Sequence, residues 1–242
     1  MNEQPLMDKT VLITGGARRL GRLFSLACAQ AGANVAIHHA HSDADAETLR
    51  EEINRIERKA WVFRSDLSDS FKAQNLIHLV NQSTPVHYLI NNAAIFEDVT
   101  FDSTSQETWS KHMALNLTAP FLLGQAFARQ AEAGARIINI LDWRALRPGA
   151  DHFPYTVSKS ALAAMTKSMA VALAPKIIVN GLALGAILPP SGGKTNPDII
   201  KHIPMERWAK ENEAEEALRF LLTCPEYITG EIIHMDGGRH LV

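Results

Sequence analysis

Cysteine is scarce in this sequence of 242 residues, which contains only two, Cys28 and Cys224. The two lie far apart, so they form neither a disulfide framework nor the closely spaced ligands of a metal site. Cys28 lies within a stretch of helical period, and Cys224 precedes a proline. We therefore expect two small buried side chains.

An excess of charge of one sign and long apolar runs are also lacking. The formal net charge is −2, so no basic field favours a nucleic acid or an anionic membrane as a partner. No apolar stretch approaches the length of a membrane span, and Met1–Asp8 contains no apolar signal core. We expect a cytoplasmic protein with neither a nucleic-acid nor a membrane partner.

No linker, internal repeat or low-complexity tract interrupts the chain, which alternates short β-rich apolar runs with stretches of helical period. The predicted strands are Thr10–Thr14, Asn34–His38, Ala60–Arg64, His87–Ile90, Arg136–Leu141, Ile177–Gly181 and Glu231–Met235. The predicted helices are Leu20–Ala31, Asp43–Arg58, Phe71–Gln82, Trp109–Arg129, Tyr155–Ala174 and Glu213–Leu222. This alternation predicts an α/β fold of the Rossmann type, a single doubly wound parallel sheet of about seven strands with helices on both faces.

A glycine-rich turn joins the first predicted strand to the first helix and reads Thr14-Gly-Gly-Ala-Arg-Arg-Leu-Gly21. Gly15 and Gly21 would let the backbone approach a pyrophosphate, which then lies at the positive end of the helix that begins near Leu20. Arg18 and Arg19 add positive charge there, although both could equally be solvated surface residues. At the first strand of a doubly wound sheet, such a turn indicates dinucleotide binding.

No carboxylate ends the second predicted strand, where an NAD enzyme usually holds the ribose 2′-hydroxyl. The chain there reads His38-His39-Ala40-His41-Ser42. Arg18, His41 and Ser42 could meet a 2′-phosphate, which favours NADPH as the cofactor. Ser42 could instead cap the next helix, with Asp45 as its capping-box partner. We expect no metal, because no carboxylate or cysteine completes a site with the histidines.

Tyr155 and Lys159 lie four residues apart, which places both on one face of a helix. A lysine in this position is expected to lower the pKa of the tyrosine, so that it exchanges a proton near neutral pH. Further motifs occur in a fixed order along the chain: Asn91-Asn-Ala-Ala94, Asn116, Val179-Asn-Gly181, Tyr227-Ile-Thr-Gly230 and Asp236-Gly-Gly238. Together with the glycine turn, these motifs resemble the short-chain dehydrogenase/reductase family across nearly the whole chain.

The resemblance implies an NADPH-dependent reductase in one domain, residues 1–242. It assigns residues 1–150 mainly to the cofactor and residues 151–242 to the catalytic helix and the substrate. Tyr155 would donate the proton, Lys159 would hold Tyr155 and the cofactor, and Asn116 would support a proton-relay water. Other expected cofactor contacts are Asp66, Leu67, Asn92 and Ala93. Asp66 could alternatively cap a helix. A homotetramer is also expected, built on the long helix and the catalytic helix.

One departure from the family pattern lies thirteen residues before Tyr155, where most members have a serine and this chain has Asp142. A carboxylate is a poor partner for an oxyanion, but it suits a substrate that gains a proton on nitrogen. Asp142, Arg19 and Phe96 resemble the substrate-binding residues of pteridine reductases, and the ending Asp236-Gly-Gly-Arg-His-Leu241 resembles that of dihydromonapterin reductases. Asp142 could instead belong to an ordinary polar loop, and Phe96 could be a core aromatic.

The leading hypothesis is therefore hydride transfer from NADPH to the C=N bond of a dihydropterin or dihydrofolate. The alternatives are a reductase of a ketone, such as a 3-oxoacyl thioester, and a non-catalytic NADPH-binding protein. Substrate choice is expected to depend on the irregular segment Ala186–Pro204, which is long for a loop in a compact domain. Trp143 could line the substrate pocket or pack beneath it.

Overall fold

A computed structural model of the protein describes residues 4–188 and 198–242. These residues form one sheet of seven strands. The strands are β1 (Thr10–Ile13), β2 (Asn34–His39), β3 (Ala60–Arg64), β4 (Tyr88–Asn91), β5 (Ala135–Asp142), β6 (Ile177–Leu184) and β7 (Ile232–Met235). All neighbouring strands are parallel, in the order β3-β2-β1-β4-β5-β6-β7. The predicted fold class is thus confirmed.

Helices connect the strands and cover both faces of the sheet. The α-helices are α1 (Arg19–Gln30), α2 (Asp43–Arg55), α3 (Ser70–Asn81), α4 (Gln106–Met113), α5 (Ala119–Gln130), α6 (Phe153–Leu173), α7 (Asp198–Lys201) and α8 (Glu211–Thr223). A π-helical turn, Ala114–Thr118, joins α4 to α5, and short 3-10 turns occupy Trp143–Ala145 and Arg239–Leu241.

Two apolar layers hold the sheet between its helices. One layer contains the buried faces of α1, α2 and α8, and the other contains those of α3, α5 and α6. Neighbouring residues on β1 alternate between the layers, with Val11 and Ile13 in the first and Leu12 in the second. This alternation follows from the period of two in a strand and explains why β1 is apolar throughout.

The strand order reverses at β1, because the chain proceeds to β2 and β3 on one side and then returns to β4 on the other. At such a switch point the connections leave in opposite directions and open a crevice at the carboxyl ends of the strands, where doubly wound proteins bind ligands. The glycine turn after β1 and the segment after β4 both lie at this crevice.

Two strands continue further than the sequence predicted. β6 extends to Leu184 rather than ending at Gly181, and β5 includes Asp142, which pairs with Leu184. Gly181 reads like a turn residue, but its role is close packing, since a Cβ there would lie 2.7 Å from Leu141 Cδ1. Because β5 continues, Asp142 is fixed by the sheet at its carboxyl end and does not belong to a polar loop.

The predicted helices also need correction. The helix expected over Trp109–Arg129 begins at Gln106, because the Ser105 side chain caps it by accepting a hydrogen bond from Thr108 N–H, and it contains the π turn. Helix α2 ends at Arg55 rather than Arg58, and Glu57 has a left-handed φ of +60°.

The segment Ala186–Pro204, expected to be irregular, includes helix α7, while its residues 189–197 lie outside the described residues. Cys28 and Cys224 are both buried free thiols, as expected. In the described ranges, every helix is too short or too polar to cross a bilayer.

Candidate active site

A cleft of about 770 Å³ opens at the carboxyl ends of the central strands. The predicted site residues in its wall are Gly15, Arg18, Arg19, Leu20, Gly21, His41, Asp66, Leu67, Asn92, Ala93, Phe96, Asp142 and Tyr155. Ser42, Asn116 and Lys159 are not part of the wall, and the last two are buried. The structure therefore brings most of the predicted cofactor and substrate residues to one cavity.

The glycine turn needs glycine at two positions. Gly15 has a φ of +61°, and a Cβ there would lie 3.1 Å from the Cα of Ala93. A Cβ at Gly21 would overlap the carbonyl group of Gly15. The turn can therefore pack directly against the segment after β4, which leaves the start of α1 accessible from the cleft.

Thr14 fastens this turn to the end of β4. Its hydroxyl accepts hydrogen bonds from the backbone N–H groups of Asn92, at 2.9 Å, and Ala93, at 3.0 Å, and donates to the carbonyl of Ile90. The Asn92 amide donates to the carbonyls of Thr14 and Gly15. Asn92 and Ala93 therefore shape the cleft by positioning the turn as well as by lining the cavity.

His38 holds the turn from the β2 side. Its Nδ1 accepts a hydrogen bond from Gly15 N–H at 3.1 Å, and its Nε2 donates to the carbonyl of Ser65 at 2.9 Å. One acceptor and one donor match a neutral imidazole. Burial of the ring lowers the pKa of His38 to about 4, so the side chain is neutral at physiological pH.

The residues predicted to meet a 2′-phosphate lie at the opening next to β2. His41 is exposed, and Arg18 Nε is 3.5 Å from Asp45 Oδ2. Ser42 directly precedes α2, at its N-cap position, but its side chain makes no capping hydrogen bond, so the capping-box alternative with Asp45 is wrong. Arg19 has a φ of +51° and lines the cleft at the first residue of α1.

Asp66 does not cap a helix either. The cap of α3 is Asp69, which accepts from the N–H groups of Phe71 and Lys72. Asp66 accepts instead from the N–H and the hydroxyl of Ser68, and these bonds lower the pKa of its carboxyl. It thus reaches the cleft as a carboxylate beside Leu67.

Tyr155 and Asp142 meet at the far end of the cleft. The Tyr155 hydroxyl donates to Asp142 Oδ2 at 3.2 Å, and the tyrosine is only 8% exposed. Burial raises the pKa of Tyr155 well above its ordinary value, and the neighbouring carboxylate raises it further. The expectation that Lys159 lowers this pKa is wrong, because burial of the phenol and the Asp142 carboxylate both raise it.

Lys159 is buried behind Tyr155. Its Nζ donates to the carbonyl of Ile140 at 2.7 Å and lies 5.8 Å from the centre of the Tyr155 ring. Burial lowers the pKa of Lys159 to about 8, while Asp142 opposes this shift. The lysine thus remains largely protonated at neutral pH and loses its charge in mildly alkaline solution.

Asn116 is fully buried in the π turn, a feature that is frequent at functional sites. Its Oδ1 accepts from Ile95 N–H at 2.9 Å, and its Nδ2 donates to the Ile95 carbonyl and to the Ser158 hydroxyl. The amide therefore ties the segment after β4 to helix α6, one residue from Lys159. Its proposed support of a relay water stays a prediction.

Arg144 lies behind Asp142 and is largely buried, with 12% of its side chain exposed. Its backbone N–H donates to Asp142 Oδ1 at 2.9 Å, and its guanidinium lies 3.6 Å from the same oxygen. Its Nη2 also donates to Asp151 Oδ2 at 2.6 Å. The positive charge of Arg144 thus balances two carboxylates beside Tyr155.

Phe96 is not a core aromatic, since it is 54% exposed at the cleft. Its ring stacks on His152, with centroids 3.9 Å apart, and meets Tyr155 edge-on at 4.7 Å. Trp143 does not line this cleft. Its ring is contacted by the guanidinium groups of Arg144, at 4.7 Å, and Arg239, at 4.2 Å.

A family model, short chain dehydrogenase, matches residues 9–199. The chain belongs to this family. Within residues 4–188 and 198–242, no group of three or more histidine, cysteine or carboxylate side chains could hold a metal ion in this short-chain dehydrogenase.

Curated relatives of this short-chain dehydrogenase differ in their substrates. It is 29% identical to a 3-oxoacyl-[acyl-carrier-protein] reductase of Synechocystis over 96% of this chain and 97% of that protein. It is 31% identical to the L-rhamnose 1-dehydrogenase (NAD(P)(+)) of Azotobacter vinelandii, with the same coverage. Among solved structures, the FolM alternative dihydrofolate reductase 1 of Brucella canis, complexed with NADP, matches with a TM-score of 0.90 and 30% identity, over 100% of this chain and 97% of that one.

Two residues that shape the site of this short-chain dehydrogenase were missed in the sequence. His38 was considered only as part of a histidine cluster, although its position at the end of β2, beside the turn, signals a role in holding the turn. Arg144 gave no signal in the sequence, because its pairing with Asp151 depends on how the chain folds back after β5.

Proposed function

We propose that this protein is an NADPH-dependent reductase of the C=N bond of a dihydropterin or dihydrofolate. The observation that carries the proposal is the Asp142 carboxylate, 3.2 Å from the Tyr155 hydroxyl. In a ketone reductase this carboxylate would face the developing oxyanion, which is electrostatically unfavourable. A ring nitrogen that gains a proton, next to N–H donors of the ring, is instead stabilised by a carboxylate.

The cofactor end of the cleft fits a dinucleotide phosphate. Side chains at Gly15 and Gly21 would fill the turn, and β2 ends in His38 and His39 rather than in a carboxylate. Arg18 and His41, two of the residues named for the phosphate, line the cleft. When bound, NADPH supplies a hydride to the substrate carbon. The NADP in the Brucella canis structure supports this choice over NADH.

Tyr155 then gives its proton to the substrate nitrogen, which balances the hydride added to carbon. The raised pKa keeps Tyr155 protonated until a basic nitrogen lies next to it. Lys159, behind the ring, would stabilise the phenolate that remains, and Asn116 holds the start of α6 on which both residues lie. Asp142 would accept hydrogen bonds from the ring and fix its orientation.

Phe96 and Arg19 complete the substrate end in this proposal. Phe96 presents an exposed ring beside Tyr155, so a flat heterocycle could pack on it. Arg19 lines the same cleft at the start of α1, where it can reach the phosphates and the edge of the ring. The division of the chain into a cofactor part, 1–150, and a substrate part, 151–242, remains part of the proposal.

The second candidate is reduction of a 3-oxoacyl thioester. It is favoured by the sequence relatives, several of which are 3-oxoacyl-[acyl-carrier-protein] reductases at 28–29% identity. The carboxylate at position 142 opposes it, because the usual serine would donate a hydrogen bond to the ketone oxygen and a carboxylate cannot.

We also propose a cytoplasmic homotetramer. Large apolar side chains are exposed on the two helices expected to form its interface, Phe121 on α5 and Val171 on α6, the latter 83% exposed. Light scattering at micromolar concentration tests this assembly, and a monomer mass would contradict it.

A substrate panel tests the function. We expect NADPH oxidation with dihydrobiopterin, dihydromonapterin or dihydrofolate that is faster than with acetoacetyl thioester, and slower with NADH in place of NADPH. No turnover of any pterin, with clear turnover of the thioester, would exclude the proposal in favour of the second candidate.

A further inference from the structure

A second cavity, of about 660 Å³, lies next to the catalytic cleft and is not used in the proposed chemistry. Three cationic side chains line it, Arg147, Lys201 and Arg239, against one carboxylate side chain, Glu206, among the described residues. The charged side chains described in the wall of this basic cavity are therefore predominantly cationic, and the ligand group that they fit is an anion.

Trp143 links the two cavities. It follows Asp142 directly in the chain and lines the basic cavity, where Arg239 contacts its ring at 4.2 Å. The same ring is contacted by Arg144, which also lies 5.9 Å from the centre of Phe96. Phe96 at the cleft and Arg239 in the basic cavity are thus joined by a continuous series of side-chain contacts through Arg144 and Trp143.

The two arginines of the basic cavity are held in place by the fold. Arg147 donates from its Nη1 to the carbonyl of Arg239 at 3.2 Å, which joins the segment after β5 to the end of the chain. Arg239 is partly buried, and burial together with the positive charge of Arg144 lowers its pKa. An anion in the cavity would offset both the burial and the repulsion from Arg144. A bound carboxylate therefore stabilises the charged form of Arg239 more than it would stabilise a solvated arginine.

We propose that the basic cavity, defined by Trp143, Arg147 and Arg239, binds the carboxylate tail of an extended substrate, such as the glutamate of dihydrofolate. This inference rests on the proposed function for the position of the ring, at Phe96 and Asp142. The tail is remote from the reacting atoms and binds equally in the ground state and the transition state. It therefore lowers KM and leaves kcat unchanged.

Kinetics with two substrates test the inference. In Arg147→Met, Arg239→Met and the double variant, we expect the KM for dihydrofolate to rise about tenfold per arginine, as for one lost charge-assisted hydrogen bond. The KM for dihydrobiopterin, which has no carboxylate tail, and both kcat values are expected to stay within about twofold. Arg55→Met is the matched control, because it removes an exposed arginine on α2 whose pairing with Glu51 is long, at 3.5 Å.

Calorimetric binding of p-aminobenzoylglutamate, the tail without the ring, provides a second measurement that does not require turnover. Wild-type protein is expected to bind it, more weakly as salt is added, and the double variant is expected to lose this binding. Failure of all pterins to react would refute the proposed function but not the tail site, which the fragment still tests. An equal KM change for both substrates, no change, or fragment binding that is absent or unaffected by the double variant would overturn the inference.

Discussion

The two ends of the catalytic cleft are held by different interactions. At the cofactor end, Thr14, His38 and Asn92 bond to backbone N–H and carbonyl groups of the glycine turn and of the strands beside it. At the substrate end, Asp142 and Arg144 are held by charge, between β5 and the loop that contains Asp151. The interactions at the cofactor end determine the shape of the backbone, whereas those at the substrate end determine where the charges lie.

We therefore expect substitutions at the two ends of the cleft to affect different properties of the protein. Neutral hydrogen bonds to buried backbone contribute to stability and preserve the turn for any dinucleotide, so changes there should affect folding and cofactor binding. Charges around a buried phenol set the free energy of proton transfer, so changes there should affect turnover while cofactor binding persists. The predictions below test whether the two ends separate in this way.

Removal of the phenol hydroxyl is expected to have the largest effect. Tyr155→Phe lacks the proposed proton donor but keeps the ring that contacts Phe96 and Lys159. We expect kcat to fall on the order of a thousandfold, within the range of general acid catalysis. The Kd of NADPH, measured by fluorescence, is expected to change less than about twofold. Retained turnover would rule out Tyr155 as the donor.

Arg144 tests the charge pattern itself. Arg144→Met leaves Asp142 without its cation and removes a charge that lowers the pKa of Tyr155, so proton release becomes less favourable. We expect kcat to fall about tenfold, a loss of about 1.4 kcal/mol of transition-state stabilisation, with NADPH affinity unchanged.

Arg144→Lys is the matched control, because it keeps the charge but lacks the planar group that reaches both carboxylates. Partial recovery of kcat in the lysine variant supports a role in positioning Asp142 by charge. If both variants lose NADPH binding together with turnover, the cofactor end and the substrate end of the cleft do not act independently.

His38 tests the cofactor end through pH. Its pKa is about 4 in the fold against 6.5 in the unfolded chain, so the unfolded state takes up a proton that the native state does not as the pH falls through this range. The stability that neutral His38 contributes is therefore fully present above about pH 6.5. It is lost between about pH 6.5 and about pH 4, and the free energy of unfolding falls by roughly 3 kcal/mol in total.

His38→Gln keeps an acceptor for Gly15 N–H and a donor for Ser65 but does not titrate. We expect the loss of unfolding free energy between about pH 7.5 and about pH 5 to be about 2 kcal/mol smaller in this variant than in the wild type. Urea unfolding at both pH values measures it. Equal losses would mean that His38 is not the buried neutral group described.

Ser42 is expected to have the smallest effect on stability. Because its side chain makes no capping bond, Ser42→Ala should change the unfolding free energy by less than about 0.5 kcal/mol. The control Ser105→Ala removes a cap that the structure contains and should cost about 1 kcal/mol. If Ser42→Ala raises the Kd of NADPH about fivefold and leaves the Kd of NADH unchanged, Ser42 contacts the 2′-phosphate. An equal loss of stability in both variants would restore the capping interpretation.

The sequence predicted the sheet, the helix order and most of the cleft wall, because these depend on local signals. Hydrophobic period places β1 and α1, and the glycines between them mark the turn. The ends of the strands and helices were harder to predict from the sequence. Gly181 reads as a stop but is a packing residue inside β6, and Ser42 reads as a cap but makes no capping bond.

The electrostatics of the site could not be predicted from the sequence. The pKa of Tyr155 depends on burial and on its distance from Asp142, and neither follows from the spacing of Tyr155 and Lys159. Arg144 contacts Asp151 only because the chain turns back before α6, where His152 adopts a left-handed φ of +50° and stacks on Phe96. These contacts join segments whose path is determined by tertiary packing.

The central claim is that Asp142 selects a substrate protonated on nitrogen, and Asp142→Ser tests it most directly. The measurement is the ratio of kcat/KM for dihydrobiopterin to that for acetoacetyl thioester, with NADPH, in the wild type and in this variant. We predict a ratio well above one in the wild type and a fall on the order of a hundredfold in the variant, as the serine replaces repulsion of an oxyanion with a hydrogen bond. A wild-type ratio below one, or a ratio unchanged by the substitution, would contradict the account.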